Sequence, residues 1–448
     1  MVIVMSRVSK TVLIVMVVVS VLWMQAEPTL LVSENLFKWR SAFIQWSGIL
    51  AIVAMSLAMV LALRLPLVEQ WTQGIDKGYR IHKWLGISAT LLGLFHWLCY
   101  QIPKWMIALE LLTKPNRLNG SGPQGNLSGF ALWVKEMRPI GLAIGEWGFY
   151  SLLLLVGVSL WLTIKYKPFR LSHRLMAVVY LLLAGHSVLL LKKVYWGWPI
   201  YWLVLMFIAL GSAAAVYSLL GFVGRNARYS AKVSAYHYCA ASQTLDLRIK
   251  MEKPWPGHKA GQFAYLSFVG EEPHPFTIAS YNEANELRFL IKELGDFTTG
   301  LYKRITVGEP IEVEGPYGRF EFYSDRPQVW IGGGVGIAPF MAGLDYLHTV
   351  KAHPATYLFF CCHHAEQQAL CDELKQKALR AGVSLTVIDS SIAPHLSAET
   401  IARQCGDLSG FEFFFCGPVA FSRTLKQALK PYHVDVETQF HEELFIMR

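Results

Sequence analysis

Apolar stretches without a charged residue dominate the first half of this 448-residue chain. A helix needs about 20 residues to cross the hydrocarbon core of a bilayer. Five stretches come close to or exceed that length and a shorter sixth lies near the start; they span residues 11–26, 41–63, 84–103, 147–164, 175–191 and 194–224. The pattern predicts six membrane-spanning helices, although residues 11–26 are also compatible with a signal peptide.

The charge is divided unevenly between the two halves. Residues 1–223 carry a net charge of +12 and residues 224–448 carry −3, which gives the overall +9. A nucleic-acid-binding protein would place its basic excess on a soluble domain, whereas here the excess lies in the apolar half. Charged residues make up 16% of the chain, below the roughly 25% of soluble domains. We predict a membrane domain at 1–224 followed by soluble domains at 225–325 and 326–448.

Basic residues outside the apolar stretches predict the orientation in the membrane. Six helices place both chain ends on one side, and the positive-inside rule makes that side the cytoplasm. The basic residues predicted there are Arg64, Arg80, Lys165, Lys167, Arg170, Arg174, Arg225 and Arg228. Residues 102–143 then form an outer loop, and the soluble domains face the cytoplasm at the inner (plasma) membrane.

Four histidines lie in two of the predicted helices. His82 and His96 are 14 residues apart on the third helix, and His173 and His186 are 13 apart on the fifth. Imidazole is a common axial ligand of haem iron, and the two spacings give about 21 Å and about 19.5 Å of helical rise. Because the depths match, we predict two haems, one held by His82 with His173 and one by His96 with His186.

Alternatives to haem remain open at this point. A separation of thirteen residues places the side chains of His173 and His186 about 140° apart around an ideal helix. Both could bind haem only if the helix bends or if the two haems approach it from different angles. Each histidine could instead form a hydrogen bond inside the bundle. Zinc is less suitable, because its ligands cluster in one coordination shell.

Two patterns follow one another in the soluble half. Short alternating apolar segments from 233 to 250, with turns at 255–257 and 260–263, predict a small antiparallel β-barrel. Residues 329–340 predict a strand, a glycine loop and a helix whose first turn contains Pro339, which is suited to binding a pyrophosphate. Apolar strands at 355–361, 384–388 and 411–415 alternate with helical segments and predict a parallel α/β domain.

Four motifs carry a family resemblance. The segment His274-Pro-Phe-Thr-Ile-Ala-Ser280, the glycine loop at 332–336, Cys416-Gly-Pro418 and Glu443-Leu-Phe445 resemble the ferredoxin-NADP reductase superfamily. Together with the paired histidines, residues 40–448 resemble the ferric reductase and NADPH oxidase superfamily of membrane flavocytochromes b. The chain is most similar to the compact bacterial members of that superfamily, which are described as predicted ferric reductases.

The resemblance implies a role for each matching residue. The flavin would be held by His274, Pro275, Phe276, Thr277, Ile278 and Ser280, with its pyrophosphate near Lys292, Gly295 and Thr298. The nicotinamide dinucleotide would be held by Gly332, Gly333, Gly334, Gly336, Pro339, Gly417 and Pro418, with Glu443 as a further cofactor-binding residue. The implied catalytic residues are Cys416 near the nicotinamide C4 atom and Phe445 against the isoalloxazine ring.

The resemblance also implies an activity. Electrons would pass from cytoplasmic NADPH or NADH through FAD and two b-type haems to an acceptor outside, with ferric iron or a ferric chelate as the leading candidate. Oxygen reduced to superoxide, or a separate outer-side reductase or quinone, are the alternatives. Tyr100 stands where oxygen-reducing relatives often carry a histidine, and Lys192 and Lys193 could attract anionic chelates.

The preferred nicotinamide is left open by the sequence. Relatives that prefer NADPH usually carry an arginine just after the second strand of the α/β domain, where it pairs with the 2′-phosphate. Here the stretch reads Cys361-Cys362-His363-His364. A histidine is only partly charged and is a weaker phosphate ligand than arginine.

Overall fold

The computed structural model describes residues 7–113, 129–161, 166–282, 285–322, 324–350, 352–363, 368–392 and 394–443. The chain divides into two compact units. The first comprises Met1–Thr72 with Lys77–Val223, and the second comprises Gln73–Asp76 with Gly224–Arg448.

Helices make up the first unit. In chain order they are α1 (Arg7–Gln25), α2 (Leu36–Leu61), the short α3 (Pro66–Thr72), α4 (Ile75–Ala108), α5 (Phe130–Leu160), α6 (Tyr166–Leu190) and α7 (Pro199–Leu219). Among the described residues, six of these helices are long and apolar enough to cross a membrane. The prediction of six spans is therefore confirmed, with α3 as an additional short helix between the second and third.

Helix α2 lies at the centre of this unit. Half of its length is buried, and many of its buried residues are small: Ala42, Ser47, Ala54, Ser56 and Ala58. Small residues let helix backbones approach closely where no hydrophobic effect drives their association. Val19 and Trp23 of α1 are buried in the cluster that α2 forms with α6 and α7, so α1 packs as part of the bundle.

The predicted outer loop is shorter than expected, because α4 continues through Pro103 to Ala108. A proline has no N–H, so the carbonyl four residues earlier loses its helical partner. Here that carbonyl belongs to Cys99, and the Arg40 side chain on α2 supplies the missing donor through Nε at 2.9 Å. Arg40 Nη2 also donates to the Tyr100 carbonyl at 3.2 Å. Arg40, which is 59 positions from Cys99 in the sequence, thus supplies the hydrogen bond that the proline removes.

The second unit begins with an antiparallel sheet. Its strands are β1 (Arg228–Cys239), β2 (Thr244–Met251), β3 (Phe263–Phe268), β4 (His274–Thr277), β5 (Glu286–Lys292) and β6 (Pro310–Tyr317), in the order β4-β3-β6-β1-β2-β5. Its apolar side chains form one core.

The predicted antiparallel FAD-type domain is confirmed, but among the described residues its sheet does not close into a barrel. The edge strands β4 and β5 meet, among the described residues, at the isolated bridge between Ile278 and Phe289, with the Ala279 N–H donating to the Arg288 carbonyl beside it. Strand β4 has only four residues, and Pro275 within it has no N–H to donate. It pairs with β3 along its length and ends before a second ladder can form.

A parallel sheet follows and confirms the predicted α/β domain. Its strands are β7 (Gln328–Gly333), β8 (Thr356–Cys362), β9 (Ser384–Asp389), β10 (Glu412–Cys416) and β11 (Phe440–Glu443), in the order β11-β10-β7-β8-β9. Its helices are α8 (Ala338–Thr349), α9 (Gln368–Ala381), α10 (Ala398–Cys405) and α11 (Val419–Leu429). One apolar cluster joins the sheet to α8 and α9, and another joins it to α10 and α11. The carboxyl ends of β7, β10 and β11 share one edge, which is where open α/β sheets bind ligands.

Candidate functional site

The four histidines form two facing pairs between α4 and α6. The ring centroids of His82 and His173 are 5.8 Å apart, and those of His96 and His186 are 6.1 Å apart. A metal ion between two imidazoles forms bonds of about 2 Å to each nitrogen, so about 6 Å between ring centres leaves room for one ion.

Each ring is oriented by a helix other than its own. The Nδ1 atoms of His82, His96 and His186 lie 2.8 Å from the carbonyl oxygens of Ala58, Ile44 and Gly141, respectively. A carbonyl only accepts, so each of these Nδ1 atoms carries the proton, and the neutral ring then has an unprotonated Nε2. This is the tautomer that binds a metal through Nε2.

The fourth ring has the same tautomer through a different partner. His173 Nδ1 lies 3.1 Å from the Ser159 hydroxyl. That hydroxyl already donates its proton to the Leu155 carbonyl, so it must accept from His173. All four histidines therefore offer a free Nε2.

The 13-residue spacing on α6 is accommodated by α5. His173 bonds to Ser159 and His186 bonds to Gly141, and these two positions are 18 residues, or about five full turns, apart on one face of α5. Glycines provide the space: a Cβ added to Gly145 would lie 2.1 Å from His186 Nδ1, and one added to Gly48 would lie 3.0 Å from His96 Nδ1.

The donor set fits haem better than a metal bound by protein alone. Within the described ranges there is no group of three or more His, Cys, Asp or Glu side chains that could hold a metal ion. Each histidine pair supplies two nitrogens, which suffices only if the remaining ligands come from a macrocycle. Tyr180, between the ligands on α6, contacts Ser56 and the Ile208 carbonyl through its hydroxyl, so it is directed toward α2 and α7 and not into the space between the pairs.

The predicted flavin segment forms β4 and its continuation toward β5. His274 stacks on Phe297 with ring centroids 3.8 Å apart and planes 7° apart. The next residues go progressively from half-buried to buried: Pro275, Phe276, Thr277, Ile278 and Ser280. The Ser280 hydroxyl accepts the Arg288 N–H, which joins the end of this segment to β5.

The predicted pyrophosphate residues follow β5. Lys292 ends the strand, and Thr298 closes the next turn by accepting the N–H groups of Leu294 and Gly295 at 3.0 Å and 3.1 Å. Phe297 of this turn carries the stack on His274. The structure thus brings the two predicted flavin segments into contact.

The glycine loop lies against the turn that follows β10. A Cβ added to Gly336 would lie 2.2 Å from the Cys416 carbonyl oxygen, and one added to Gly333 would lie 3.0 Å from Pro418 Cδ. A Cβ added to Gly417 would lie 3.3 Å from Gly333 Cα. The remaining predicted members are Gly332 at the end of β7, Gly334 at a φ of +57° and Pro339 at the start of α8.

Cys416 and Glu443 are register partners on β10 and β11. Burial raises the pKa of the Cys416 thiol well above its ordinary value, and burial raises the pKa of the Glu443 carboxyl as well. The Cys416 thiol is therefore protonated at pH 7 and is not a thiolate nucleophile. Glu443 Oε2 is buried and has no hydrogen-bond partner among the described residues. Phe445 lies outside the described residues.

A buried charge cluster was missed at the sequence level. Arg288 on β5 is 4% exposed, and its guanidinium binds Asp246 on β2 and Glu373 on α9, each through two hydrogen bonds. This cluster joins the antiparallel sheet to the α/β domain. Its sequence signal was a single arginine within the apolar strand Glu286–Lys292.

Two family descriptions match the chain. "Ferric reductase like transmembrane component" covers residues 47–184, and "FAD-binding domain" covers residues 226–327. The first range contains His82, His96 and His173, and it ends two residues before His186. The second contains β1 to β6 and the segment from His274 to Ser280.

Similar curated proteins match about two fifths of the chain. The reductase component of propane 2-monooxygenase from Mycolicibacterium goodii is 28% identical over 194 residues, which cover 39% of this chain and 56% of that protein. The flavohemoprotein of Vibrio cholerae is 26% identical over 204 residues, which cover 42% of this chain and 51% of that protein. The chain therefore spans about half the length of these relatives.

Solved structures of similar fold cover about half of the chain. The Amycolatopsis cytochrome P450 reductase GcoB has a TM-score of 0.44 and 20% identity, over 49% of this chain and 69% of that one. The flavohem-like FAD/NAD-binding domain of nitric oxide dioxygenase from Vibrio cholerae has a TM-score of 0.40 and 18% identity, over 48% and 97%. The chain thus combines a ferric-reductase-like transmembrane component with an FAD-binding domain, which matches an oxidoreductase of the ferric reductase and NADPH oxidase type.

Proposed function

We propose that this protein carries electrons from cytoplasmic NAD(P)H across the plasma membrane to an acceptor on the outer side. Two pairs of facing histidines carry the proposal. Each pair offers two unprotonated Nε2 atoms, and the two pairs are about 21 Å apart along α4. Two carriers at that spacing extend over most of a hydrocarbon layer about 30 Å thick.

We assign each cofactor to residues of the candidate site. His82 with His173 and His96 with His186 would hold two b-type haems, while β4 and the turn after β5 would hold FAD. When bound, FAD would supply the conversion of a two-electron nicotinamide donor into the single-electron steps that haem iron requires. The glycine loop and the Cys416–Pro418 turn would bind the nicotinamide dinucleotide, with the neutral Cys416 thiol as a packing contact.

A ferric chelate is the acceptor that the outer surface favours. Tyr100 stands one turn beyond His96, with Lys104 Nζ 3.7 Å from its ring centroid and the Arg40 guanidinium 5.7 Å away. No carboxylate of the described residues forms an ion pair with either cation. Lys192, by contrast, binds Glu27, so its charge is compensated. This positive charge beside Tyr100 would attract anionic chelates of ferric iron.

Purified full-length protein tests the proposal. We expect two haems and one FAD per chain, and ferrous iron formed from an anionic ferric chelate with NADPH or NADH. Superoxide produced much faster than ferrous iron would instead support oxygen as the acceptor. Failure to reduce either acceptor while haem is reduced would support a separate outer-side electron-transfer partner.

A double variant tests the haem assignment. His96→Ala with His186→Ala should halve the haem content, while NAD(P)H still reduces a soluble dye at the flavin. His237→Ala, which changes an exposed histidine on β1, is the matched control and should keep both haems. Full haem content in the double variant would refute the assignment.

A further inference from the structure

An imidazole connects a loop of the antiparallel sheet to the end of the predicted flavin segment. His258 lies in the connection between β2 and β3, and its Nε2 atom is 2.7 Å from the Ser280 carbonyl oxygen. Its other ring nitrogen, Nδ1, accepts the Trp255 Nε1–H at 3.1 Å. An indole nitrogen only donates and a carbonyl only accepts, so both ring nitrogens have a defined role. The two contacts therefore require the neutral tautomer of His258 with its proton on Nε2.

The indole that donates to this imidazole is itself held in place. The Trp255 ring stands edge-on to the ring of Tyr229 on β1, with centroids 5.2 Å apart, and it packs against the core of the antiparallel sheet. Its backbone N–H donates to the Asn285 side chain at 3.4 Å. Indole and imidazole thus form a continuous connection from the sheet core to the Ser280 carbonyl.

Ser280 lies where the predicted flavin segment meets the α/β domain. The residues on either side of it, Ala279 and Tyr281, pack in the same apolar cluster as Val335 of the glycine loop. The Tyr281 ring also stands edge-on to the His258 ring, with centroids 6.1 Å apart. The position of this short segment therefore affects the flavin segment and the glycine loop together.

We propose that His258 is a positioning residue that fixes the flavin segment beside the glycine loop, and that protonation of its Nδ1 atom weakens FAD binding. Nδ1 can accept the Trp255 N–H only while the ring is neutral, because a protonated Nδ1 would face that donor with a second donor. The ring then loses Trp255, and with it the orientation that presents Nε2 to Ser280. The inference rests on the proposed function, in which the segment from His274 to Ser280 holds FAD.

The surroundings of the ring favour its neutral form. Burial lowers the pKa of His258 below its ordinary value of 6.5, although the hydrogen bond to the Ser280 carbonyl opposes that effect. The titratable groups around it are two phenols and two cations paired with carboxylates: Tyr281, Tyr346, Lys259 with Glu321, and Arg288 with Asp246 and Glu373. A lowered histidine pKa means that the neutral ring is complete at pH 7 and is lost as the pH falls through the folded-state pKa.

Release of FAD from the full-length protein tests the proposal without turnover. The Kd is measured from the fluorescence of released FAD between about pH 7.5 and about pH 5, where the wild type should weaken about tenfold. A glutamine amide can donate to Ser280 and accept from Trp255, but it does not titrate. His258→Gln should therefore stay within about threefold of the wild type at pH 7.5 and lose the pH dependence. His237→Gln, which changes an exposed histidine on β1, is the matched control and should keep the wild-type profile.

A change of the donor tests the same connection from its other end. Trp255→Phe keeps an aromatic ring but removes the N–H that faces Nδ1. At pH 7.5 this variant should bind FAD about as weakly as the wild type does at pH 5, and its Kd should change little with pH. A Trp255→Phe profile identical to that of the wild type would contradict the proposal.

The outcomes separate this inference from the proposed function. Wild-type protein that binds no FAD at pH 7.5 would refute the proposed function. FAD binding with the same pH profile in the wild type and in His258→Gln would refute the role of His258 alone. The titrating group would then be another one, such as His274, whose ring stacks on Phe297.

Discussion

Gly145 lies directly against the ring of His186, so close that a methyl group on Gly145 would be 2.1 Å from Nδ1. The contact joins α5 to the outer histidine pair. It also makes the absence of a side chain at position 145 a condition for the ring orientation that leaves Nε2 free.

Gly145→Ala should therefore displace His186 and reduce the haem content to about half. Overpacking at such a contact typically costs about 1–3 kcal/mol and shifts the side chain that is hit. Gly157→Ala on the same helix is the control, because a Cβ there meets no atom within 4 Å. The measurement is the haem content per FAD in the two variants. Equal haem content in Gly145→Ala and Gly157→Ala would contradict the expected displacement of His186.

Lys104→Gln tests the charge beside Tyr100. Removing this exposed cation should raise the KM for an anionic ferric chelate about three- to tenfold at low ionic strength, and the difference should shrink with added salt because exposed charges are screened. Lys38→Gln is the matched control, since its amino group donates to the Thr29 carbonyl. The measurement is the initial rate with an anionic and with a neutral acceptor. An equal loss of rate with both acceptors would exclude attraction by charge.

Gly336→Ala tests the glycine loop. Its new Cβ would lie 2.2 Å from the Cys416 carbonyl oxygen, a backbone atom that cannot rotate away. We expect the KM for NAD(P)H to rise at least tenfold, because the loop must move from the turn after β10. FAD content should stay at the wild-type level. Gly410→Ala, which meets nothing within 4 Å, should leave the KM unchanged.

Glu373→Gln tests the Arg288 cluster and its pH dependence. Despite the opposing effect of burial, hydrogen bonds and charge attraction from Arg288 keep the pKa of Glu373 below its ordinary value of 4.5. A lowered carboxyl pKa stabilises the fold above the unfolded pKa, and this stabilisation is lost as the pH falls through the folded one. The variant should lower the melting temperature of the reductase unit by a few degrees at pH 7, for a loss of about 1–3 kcal/mol. The difference should vanish in strong acid, and a difference that grows below pH 4.5 would contradict the assignment.

Features set by local pattern could be predicted from the sequence. The six spans follow from apolar length, and the parallel sheet follows from strands that alternate with helices. The depth matching of His82 with His173 and of His96 with His186 needed only helical rise. For the flavin and nucleotide segments, contiguous motifs were sufficient to name candidate residues, whose roles in holding the cofactors stay predictions.

Features that depend on distant partners could not be predicted. The ring directions of His173 and His186 depend on hydrogen bonds to Ser159 and Gly141 of α5. The helical periodicity of α6 alone cannot predict these partners. Continuation of α4 through Pro103 depends on Arg40, and the burial of Arg288 depends on Glu373 in another domain. The open sheet reflects the short β4, whose end was not evident from its apolar pattern.

The hydrogen bonds that orient the histidines also have a consequence for assembly. The ligands belong to α4 and α6, but their Nδ1 atoms bond to α2 and α5. Filling both pairs would therefore connect four helices at two levels. Helices α1 and α7 carry none of the four histidines and none of their Nδ1 partners, and they pack against α2 in a largely apolar cluster. Cofactor loading should then act as a maturation step for α4, α5 and α6, and chains starved of haem should expose those helices to proteolysis first.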